Sequence, residues 1–148
     1  MTAPQKAIDV LIADDDADDR ALTLRALGGL RGPPASFQVD DGGDAIDYLC
    51  RQGRFSELAP APLPRLVLLD LKLPLRSGLE VLQTVRGDGL SRRVPIVVLT
   101  SSEHDRDIDA AYRAGANGYV LKPGVYEQYM TAIQQTARYW LEVNLSTG

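Results

Sequence analysis

The sequence predicts an α/β fold with a five-stranded parallel sheet that is doubly wound, in the order (βα)5. Short, wholly apolar runs alternate along the chain with segments of helical spacing, a pattern typical of strands that helices cover on both faces. Most of these runs end abruptly in aspartate, threonine or lysine. The length of 148 residues suits one such domain, with a core at about 8–141.

The first two strand–helix units occupy the N-terminal third of the chain. The apolar run Ile8–Ala13 predicts a buried strand that ends in three aspartates, and Asp16–Leu27 predicts the helix after it. Ser36–Val39 predicts a second strand, and Asp44–Arg51 predicts a helix with apolar residues on one face. These units establish the alternation of strands and helices that the fold requires.

The third unit follows an irregular stretch. Gly53–Pro64 contains three prolines, so we expect an extended loop there. Leu66–Leu69 predicts a buried strand that ends at Asp70, and Leu79–Arg86 predicts a helix. Pro74 and Gly78 lie between that strand and its helix, where we expect them to set the geometry of a turn.

The last two units end in the longest predicted helix. Val94–Leu99 and Gly118–Leu121 predict strands, and Asp105–Arg113 and Val125–Val143 predict the helices that follow them. We expect Ile108, Ala111 and Tyr112 of the fourth helix to face inward. The apolar residues of the last helix follow helical spacing: Tyr126, Tyr129, Met130, Ile133, Ala137, Trp140 and Leu141. Trp140 and its neighbours fit either packing within the domain or a dimer contact.

Composition and charge narrow the range of functions. The net charge of −4 and the lack of a dense basic cluster argue against nucleic-acid binding. No apolar run is long enough to span a bilayer, and none resembles a signal peptide, so we expect a cytoplasmic protein that does not bind membranes. The single cysteine, Cys50, excludes an internal disulfide.

Polar residues at the strand ends predict one functional site. The carboxyl ends of parallel strands meet at one edge of the sheet, so Asp14, Asp15, Asp70, Thr100 and Lys122 are expected to converge. Crowded carboxylates repel one another, and a hard cation such as Mg²⁺ relieves that repulsion. A carboxylate can also attack phosphorus to form an aspartyl phosphate, whose oxygens a hydroxyl and an ammonium can hold. Pro123 follows the lysine and is expected to fix the local loop, for which a cis Lys-Pro peptide is one route.

These motifs together resemble the receiver domain of two-component response regulators, which has a flavodoxin-like fold. The resemblance covers residues 8 to 141 and rests on ADDD, LLDLKLP, PIVVLTSS, AGANGY and LKP in that order. It implies that Asp14, Asp15, Asp70 and the backbone carbonyl of Lys72 bind Mg²⁺ or another divalent cation. It also implies that Asp70 accepts a phosphoryl group from a partner histidine kinase and that Thr100 and Lys122 hold it. Thr100 and Tyr119 would then form a switch.

Within that family the sequence is most similar to single-domain regulators that work with phytochrome-type histidine kinases. The Pro-rich loop, the segment LPLRSGLEVL and the long last helix carry this likeness. It implies a homodimer through the last helix region. No output domain is expected after residue 143, so the output is expected to be contact with a downstream protein, or a place as a phosphorelay intermediate.

Other interpretations compete with this one. A haloacid-dehalogenase-like enzyme also uses an aspartyl nucleophile, but Lys72 stands where its second aspartate is needed, and we expect no enzyme beyond self-phosphorylation and slow autodephosphorylation. A nucleotide-binding module would need a glycine-rich phosphate loop that this sequence lacks, and a receiver-like scaffold would not need the acidic residues.

Three single residues have further interpretations. Asp16 fits a helix cap, Tyr119 fits simple packing, and the Lys72 side chain could alter how fast water attacks the phosphoryl group.

Overall fold

A computed structural model describes residues 8–146 of the chain, so residues 1–7 and 147–148 of the predicted 1–148 domain lie outside the described residues. The strands are β1 (Val10–Ala13), β2 (Ser36–Val39), β3 (Leu66–Leu69), β4 (Ile96–Thr100) and β5 (Gly118–Leu121). The helices are α1 (Ala17–Gly28), α2 (Gly42–Cys50), α3 (Gly78–Gly87), α4 (Asp105–Arg113) and α5 (Tyr126–Arg138). Strands and helices alternate as the sequence predicts.

The five strands form one parallel sheet in the order β2-β1-β3-β4-β5. The register places Ala13 of β1 beside Val39 of β2 and Leu69 of β3, so these three strands end level with one another. Thr100 of β4 pairs with Leu121 of β5 at the same edge. The residues that follow the strands therefore gather along one edge, which is the arrangement that places a ligand site there in open α/β sheets.

Helices cover the sheet on both faces. Alternate residues of a strand point to opposite faces, so Leu11 of β1 packs in one cluster with α2 and α3, while Val10 packs in the other with α1 and α5. Every residue of β1, β3 and β4 is buried. Because these strands have no solvent-exposed face, their sequences are apolar except for Thr100 at the end of β4. The doubly wound prediction is confirmed.

Short polar side chains begin three of the helices. The Asp16 carboxylate accepts hydrogen bonds from the backbone N–H groups of Asp18 and Asp19, which confirms it as the cap of α1. Asp41 caps α2 and Ser77 caps α3 through equivalent bonds. Such caps satisfy N–H groups that have no partner within the helix.

The predicted extended loop at Gly53–Pro64 is wrong in its first half. Gly53–Leu58 forms a 3₁₀ helix whose Phe55 is fully buried in an aromatic group with Phe37 and Tyr48. The three prolines, which favoured a loop, all come after this helix. Burial of the Phe55 ring therefore decides the structure of the stretch that precedes the prolines.

The predicted inward position of Tyr112 is wrong, because this residue of α4 is 50% exposed. Tyr126, the first residue of α5, is 46% exposed, and the Arg25 guanidinium of α1 lies 5.8 Å from the centre of its ring. The last helix also changes geometry: α5 ends at Arg138, and Tyr139–Val143 continues as a π-helical turn. Within residues 8–146 no helix is both long and apolar enough to cross a membrane.

Candidate functional site

The structure brings the predicted site residues together at the carboxyl edge of the sheet. Asp14 and Asp70 directly follow β1 and β3, and Thr100 is the last residue of β4. These three residues are at most 8% exposed, whereas Asp15 is open to solvent. A carboxylate buried to this extent needs a compensating charge or hydrogen bonds, so the partners of Asp14 and Asp70 decide what the site can do.

The Lys122 ammonium is the centre of the site. Its Nζ atom donates to Oδ2 of Asp14 at 2.8 Å, to Oδ2 of Asp19 at 2.8 Å and to Oδ2 of Asp70 at 2.9 Å. The side chain of Lys122 is only 9% exposed. Three carboxylates around one ammonium use all three of its donors, so the lysine is held in a single position.

Burial and pairing act against each other on these groups. Burial would lower the pKa of Lys122, but its hydrogen bonds to Asp14, Asp19 and Asp70 outweigh that effect and raise its pKa, so the ammonium stays charged. Burial raises the pKa of Asp14 despite its hydrogen bond from Lys122. One ammonium therefore only partly offsets the cost of burying the Asp14 charge.

The arrangement of oxygens fits a divalent cation. Carboxylate oxygens of Asp14, Asp15 and Asp70 lie within 4.8 Å of one another. Oxygen ligands from two or more carboxylates, with waters completing the shell, are what Mg²⁺ takes in proteins.

The loop between β3 and α3 fixes the Asp70 carboxylate. Its Oδ1 atom accepts a hydrogen bond from the backbone N–H of Lys72 at 3.1 Å, while the Lys72 side chain is exposed. At Gly78 a Cβ atom would lie 2.5 Å from the Asp70 carbonyl oxygen, so only glycine fits there. The carbonyl of Pro74 accepts from Gly42 of α2 at 3.1 Å and thereby ties the loop to the neighbouring helix.

Tyr119 and Thr100 lie on the side of the site formed by β4 and β5. The Tyr119 hydroxyl donates to the carbonyl of Ser102 at 2.8 Å, and the Ser102 N–H lies 3.5 Å from Oγ1 of Thr100. Tyr119 is half-buried and packs against the core. The tyrosine ring and the threonine hydroxyl thus contact the same short segment, so a shift in one can reach the other.

The peptide between Lys122 and Pro123 is trans, so the suggested cis peptide is wrong. The trans chain still places the lysine, because the backbone N–H of Lys122 donates to the carbonyl of Thr100 at 2.7 Å and extends the pairing of β5 with β4 past the end of the strand. This strand pairing holds Lys122 at the carboxyl edge.

Sequence reasoning missed Asp19. It lies in the first turn of α1, and its carboxylate holds Lys122 as closely as those of Asp14 and Asp70 do. No local signal marks Asp19 in the sequence, because Asp18 and Asp19 both lie in the first turn of α1 and only Asp19 contacts Lys122. Arg20, also missed, donates to the backbone carbonyl of Asp14 at 2.7 Å.

Comparison with known families agrees with this arrangement. The model of the response regulator receiver domain matches residues 10–134, which is most of the chain. The chain belongs to the response regulator receiver domain family. Receiver domains are phosphoacceptors of two-component signalling, so the carboxyl-edge site is to be understood in terms of phosphoryl transfer.

Individual relatives within this family are similar to the chain over most of its length. It is similar to the probable methanogenesis regulatory protein FilR2 of Methanothrix harundinacea, with 36% identity over 94% of this chain and 87% of the relative. It is 33% identical to the response regulator Rcp1 of Synechocystis over 94% of this chain and 91% of that protein. The phosphorylated cyanobacterial phytochrome response regulator RcpA superposes with a TM-score of 0.86 at 30% identity, over 93% of this chain and 96% of that one.

One further structure bears on the cation. The Mn²⁺-bound form of Rcp1 superposes with a TM-score of 0.86 at 29% identity and covers 96% of this chain and all of that one. The likeness to phytochrome response regulators and the acidic cluster at Asp14, Asp15 and Asp70 together agree with a receiver domain that takes up a divalent cation.

Proposed function

We propose that Asp70 is the phosphoacceptor of this receiver domain. The observation that carries the proposal is the fixed, buried carboxylate: Lys122 Nζ lies 2.9 Å from its Oδ2, and the Lys72 N–H lies 3.1 Å from its Oδ1. In the reaction an Asp70 oxygen attacks the phosphorus of a phosphohistidine, the new P–O bond forms, and the P–N bond to the imidazole breaks. The imidazole leaves with the bonding electron pair.

The groups around Asp70 are suited to hold the transferred phosphoryl group. Asp14, Asp15, Asp70 and the Lys72 backbone carbonyl would hold Mg²⁺, which supplies positive charge against the phosphoryl oxygens when bound. The Lys122 ammonium and the Thr100 hydroxyl would donate hydrogen bonds to the remaining oxygens. Burial of Thr100 keeps its hydroxyl free of competing water.

We further propose that Thr100 and Tyr119 transmit the phosphorylated state. A hydroxyl drawn towards the phosphoryl group would vacate space beside β4 that the Tyr119 ring can enter. The ring would then give up its hydrogen bond to the Ser102 carbonyl, which lies at 2.8 Å before phosphorylation. The surface of β5 and the adjoining helices would change as a result.

Likeness to RcpA and Rcp1 supports a phytochrome-type histidine kinase as the phosphodonor. We propose a homodimer through the last helix region, where Tyr139, Val143 and Leu145 expose 49%, 64% and 94% of their surface. A phosphorelay role or contact with a downstream protein would then follow from changes on the face that carries Tyr119.

Acetyl phosphate with Mg²⁺ tests the acceptor directly. We expect intact-protein mass spectrometry to show the gain of one phosphoryl group in the wild-type protein and in Asp109→Asn, a control on the surface of α4. Asp70→Asn should gain none, because an amide is not a nucleophile of this kind. Equal labelling of Asp70→Asn would show that another residue is the acceptor.

Sedimentation tests the dimer separately. Tyr139→Ser with Val143→Ser is expected to give monomers where the wild-type protein forms dimers, because both changes remove apolar surface from the last helix region. Dimers of unchanged affinity in the double variant would place the interface elsewhere.

A further inference from the structure

Leu75 is unusual in two ways. It has a φ of +69°, a conformation that costs an L-residue energy, and its side chain is 82% exposed. Asparagine and glycine adopt this conformation most readily. A leucine here gains nothing from burial within the domain, so its presence needs another explanation.

The loop that carries Leu75 is firmly held. The carbonyl of Pro74, the residue before Leu75, accepts hydrogen bonds from two backbone N–H groups. They are those of Gly42 at 3.1 Å and of Arg76 at 2.8 Å. The Arg76 guanidinium is bound to Glu80 at 2.6 Å. A Cβ atom on Gly42 would lie only 1.8 Å from the Arg76 carbonyl oxygen, so α2 presses directly against the loop. Leu75 is therefore presented in a defined position.

The surroundings of Leu75 indicate which kind of binding partner can cover its side chain. The residue lies five positions after Asp70, at the edge of the sheet from which that acceptor is reached. A phosphohistidine can reach the 8%-exposed Asp70 only if the protein that carries it covers this edge. Exposed carboxylates of Asp15, Asp16 and Asp40 follow β1 and β2 at this edge. They outnumber the exposed Lys72 ammonium, and Arg76 is paired with Glu80, so the edge is acidic on balance.

We propose that Leu75 is a docking contact for the phosphodonor protein and enters an apolar pocket that basic side chains surround. This inference rests on the proposed acceptor role of Asp70. The fixed backbone presents the leucine at little cost in loop entropy on binding, the side chain supplies apolar contact, and the acidic edge attracts a basic surface. Acetyl phosphate, which is small, reaches Asp70 without touching Leu75.

The test compares two phosphodonors on the same variants. Leu75→Asn keeps a residue that tolerates positive φ but removes the apolar contact, and Leu75→Met restores an apolar side chain. Leu90→Asn is the matched control, because Leu90 is 52% exposed and lies before β4, at the opposite edge. The donors are acetyl phosphate and the phytochrome-type histidine kinase core that labels the wild-type protein fastest in a panel.

We expect kcat/KM for transfer from the kinase to fall about tenfold in Leu75→Asn, as for the loss of one buried apolar contact. Leu75→Met should recover most of it, and Leu90→Asn should match the wild-type protein. Labelling by acetyl phosphate should stay within about twofold in all variants, and the thermal midpoint of Leu75→Asn should not fall.

One result would overturn the inference while leaving the acceptor role intact: transfer from the kinase to Leu75→Asn at the wild-type rate. Equal losses with both donors would mean that Leu75 supports the site rather than docking. Failure of acetyl phosphate to label the wild-type protein would instead count against Asp70 as the acceptor.

Discussion

Two groups of three carboxylates lie close together within residues 8–146, and they differ in what surrounds them. The first comprises Asp14, Asp15 and Asp70, and the second comprises Asp40, Asp41 and Asp44. In the first group Asp14 and Asp70 are buried and share the Lys122 ammonium. In the second group every carboxylate is exposed or half-exposed. Oxygens within 4.8 Å of one another therefore occur in two different electrostatic surroundings.

The carboxylates of the second group stabilise the local structure. Oδ1 of Asp41 accepts from the backbone N–H of Asp44 at 2.6 Å and caps α2, while Oδ2 of Asp44 pairs with Arg54 at 2.8 Å. Water solvates what remains, so these charges cost little. In the first group Asp14 and Asp70 also accept backbone N–H bonds, from Asp16 at 3.0 Å and from Lys72 at 3.1 Å, but both carboxylates are buried, and burial raises the pKa of Asp14 even with Lys122 beside it. The two groups therefore differ in burial and in their shared ammonium rather than in the proximity of their oxygens.

Removal of one carboxylate from each group gives the largest expected difference. Asp14→Asn should weaken Mn²⁺ binding by about 100-fold, because a charged ligand is lost from a poorly solvated site. Isothermal titration calorimetry measures the affinity, and Asp41→Asn is the matched change in the second group. An equal loss in both variants would show that the difference in burial does not decide where the cation binds.

Asp19 offers the next largest effect, as a positioning residue for Lys122. In Asp19→Asn the Lys122 ammonium loses one of its three carboxylate partners, and we expect it to shift towards Asp14 and Asp70. We expect labelling by acetyl phosphate at saturating donor to slow about fivefold, as for the loss of a partly exposed ion pair, with KM little changed.

The neighbouring exposed residue supplies the control for Asp19. Asp18→Asn should label at the wild-type rate, since Asp18 lies in the same turn of α1 and makes no contact with Lys122. Asp19→Glu should recover part of the rate. If Asp19→Asn is as fast as the wild-type protein, then Asp14 and Asp70 alone are enough to position the lysine.

Sequence reasoning could find the first group because strand ends are visible in a sequence. An apolar run such as that of β3 stops at Asp70, and the topology of parallel strands then places its neighbours. Asp19 is different, because it lies inside a helix among other charges, and only the position of Lys122 after β5 distinguishes it from Asp18. A contact across 103 positions in the sequence has no local pattern.

The errors have similar causes. Phe55 packs against Phe37 and Tyr48 of the preceding strand–helix unit and so favours a 3₁₀ helix at Gly53–Leu58, whereas the nearby prolines suggested a loop. Tyr112 has the spacing of an inward residue, but α4 packs at the edge of the sheet and leaves the ring half exposed. The unusual φ of Leu75 had no signal at all, because leucine does not favour it.

Substitution of Lys72, next to the first group, should have a smaller effect, on the lifetime of the phosphorylated protein. Its side chain is exposed beside Asp70, where an ammonium can attend the phosphoryl oxygens and hinder the approach of water. Lys72→Asn should shorten the lifetime of the phosphorylated protein about threefold, in keeping with a solvent-screened charge. Loss of the phosphoryl group is followed by mass spectrometry, and Arg92→Asn at the opposite edge is the control. An unchanged rate in Lys72→Asn would exclude this role.

The smallest effect is expected in the second group and concerns stability alone. Asp41→Ala removes the cap of α2 and should lower the free energy of unfolding by about 1 kcal/mol. Asp40→Ala should change it by less than about 0.5 kcal/mol, because Asp40 is exposed and caps no helix. Urea unfolding measures both. Neither change should alter Mn²⁺ affinity. A weaker affinity in Asp41→Ala would mean that the exposed carboxylates also bind the cation, and burial would then not be what separates the two groups.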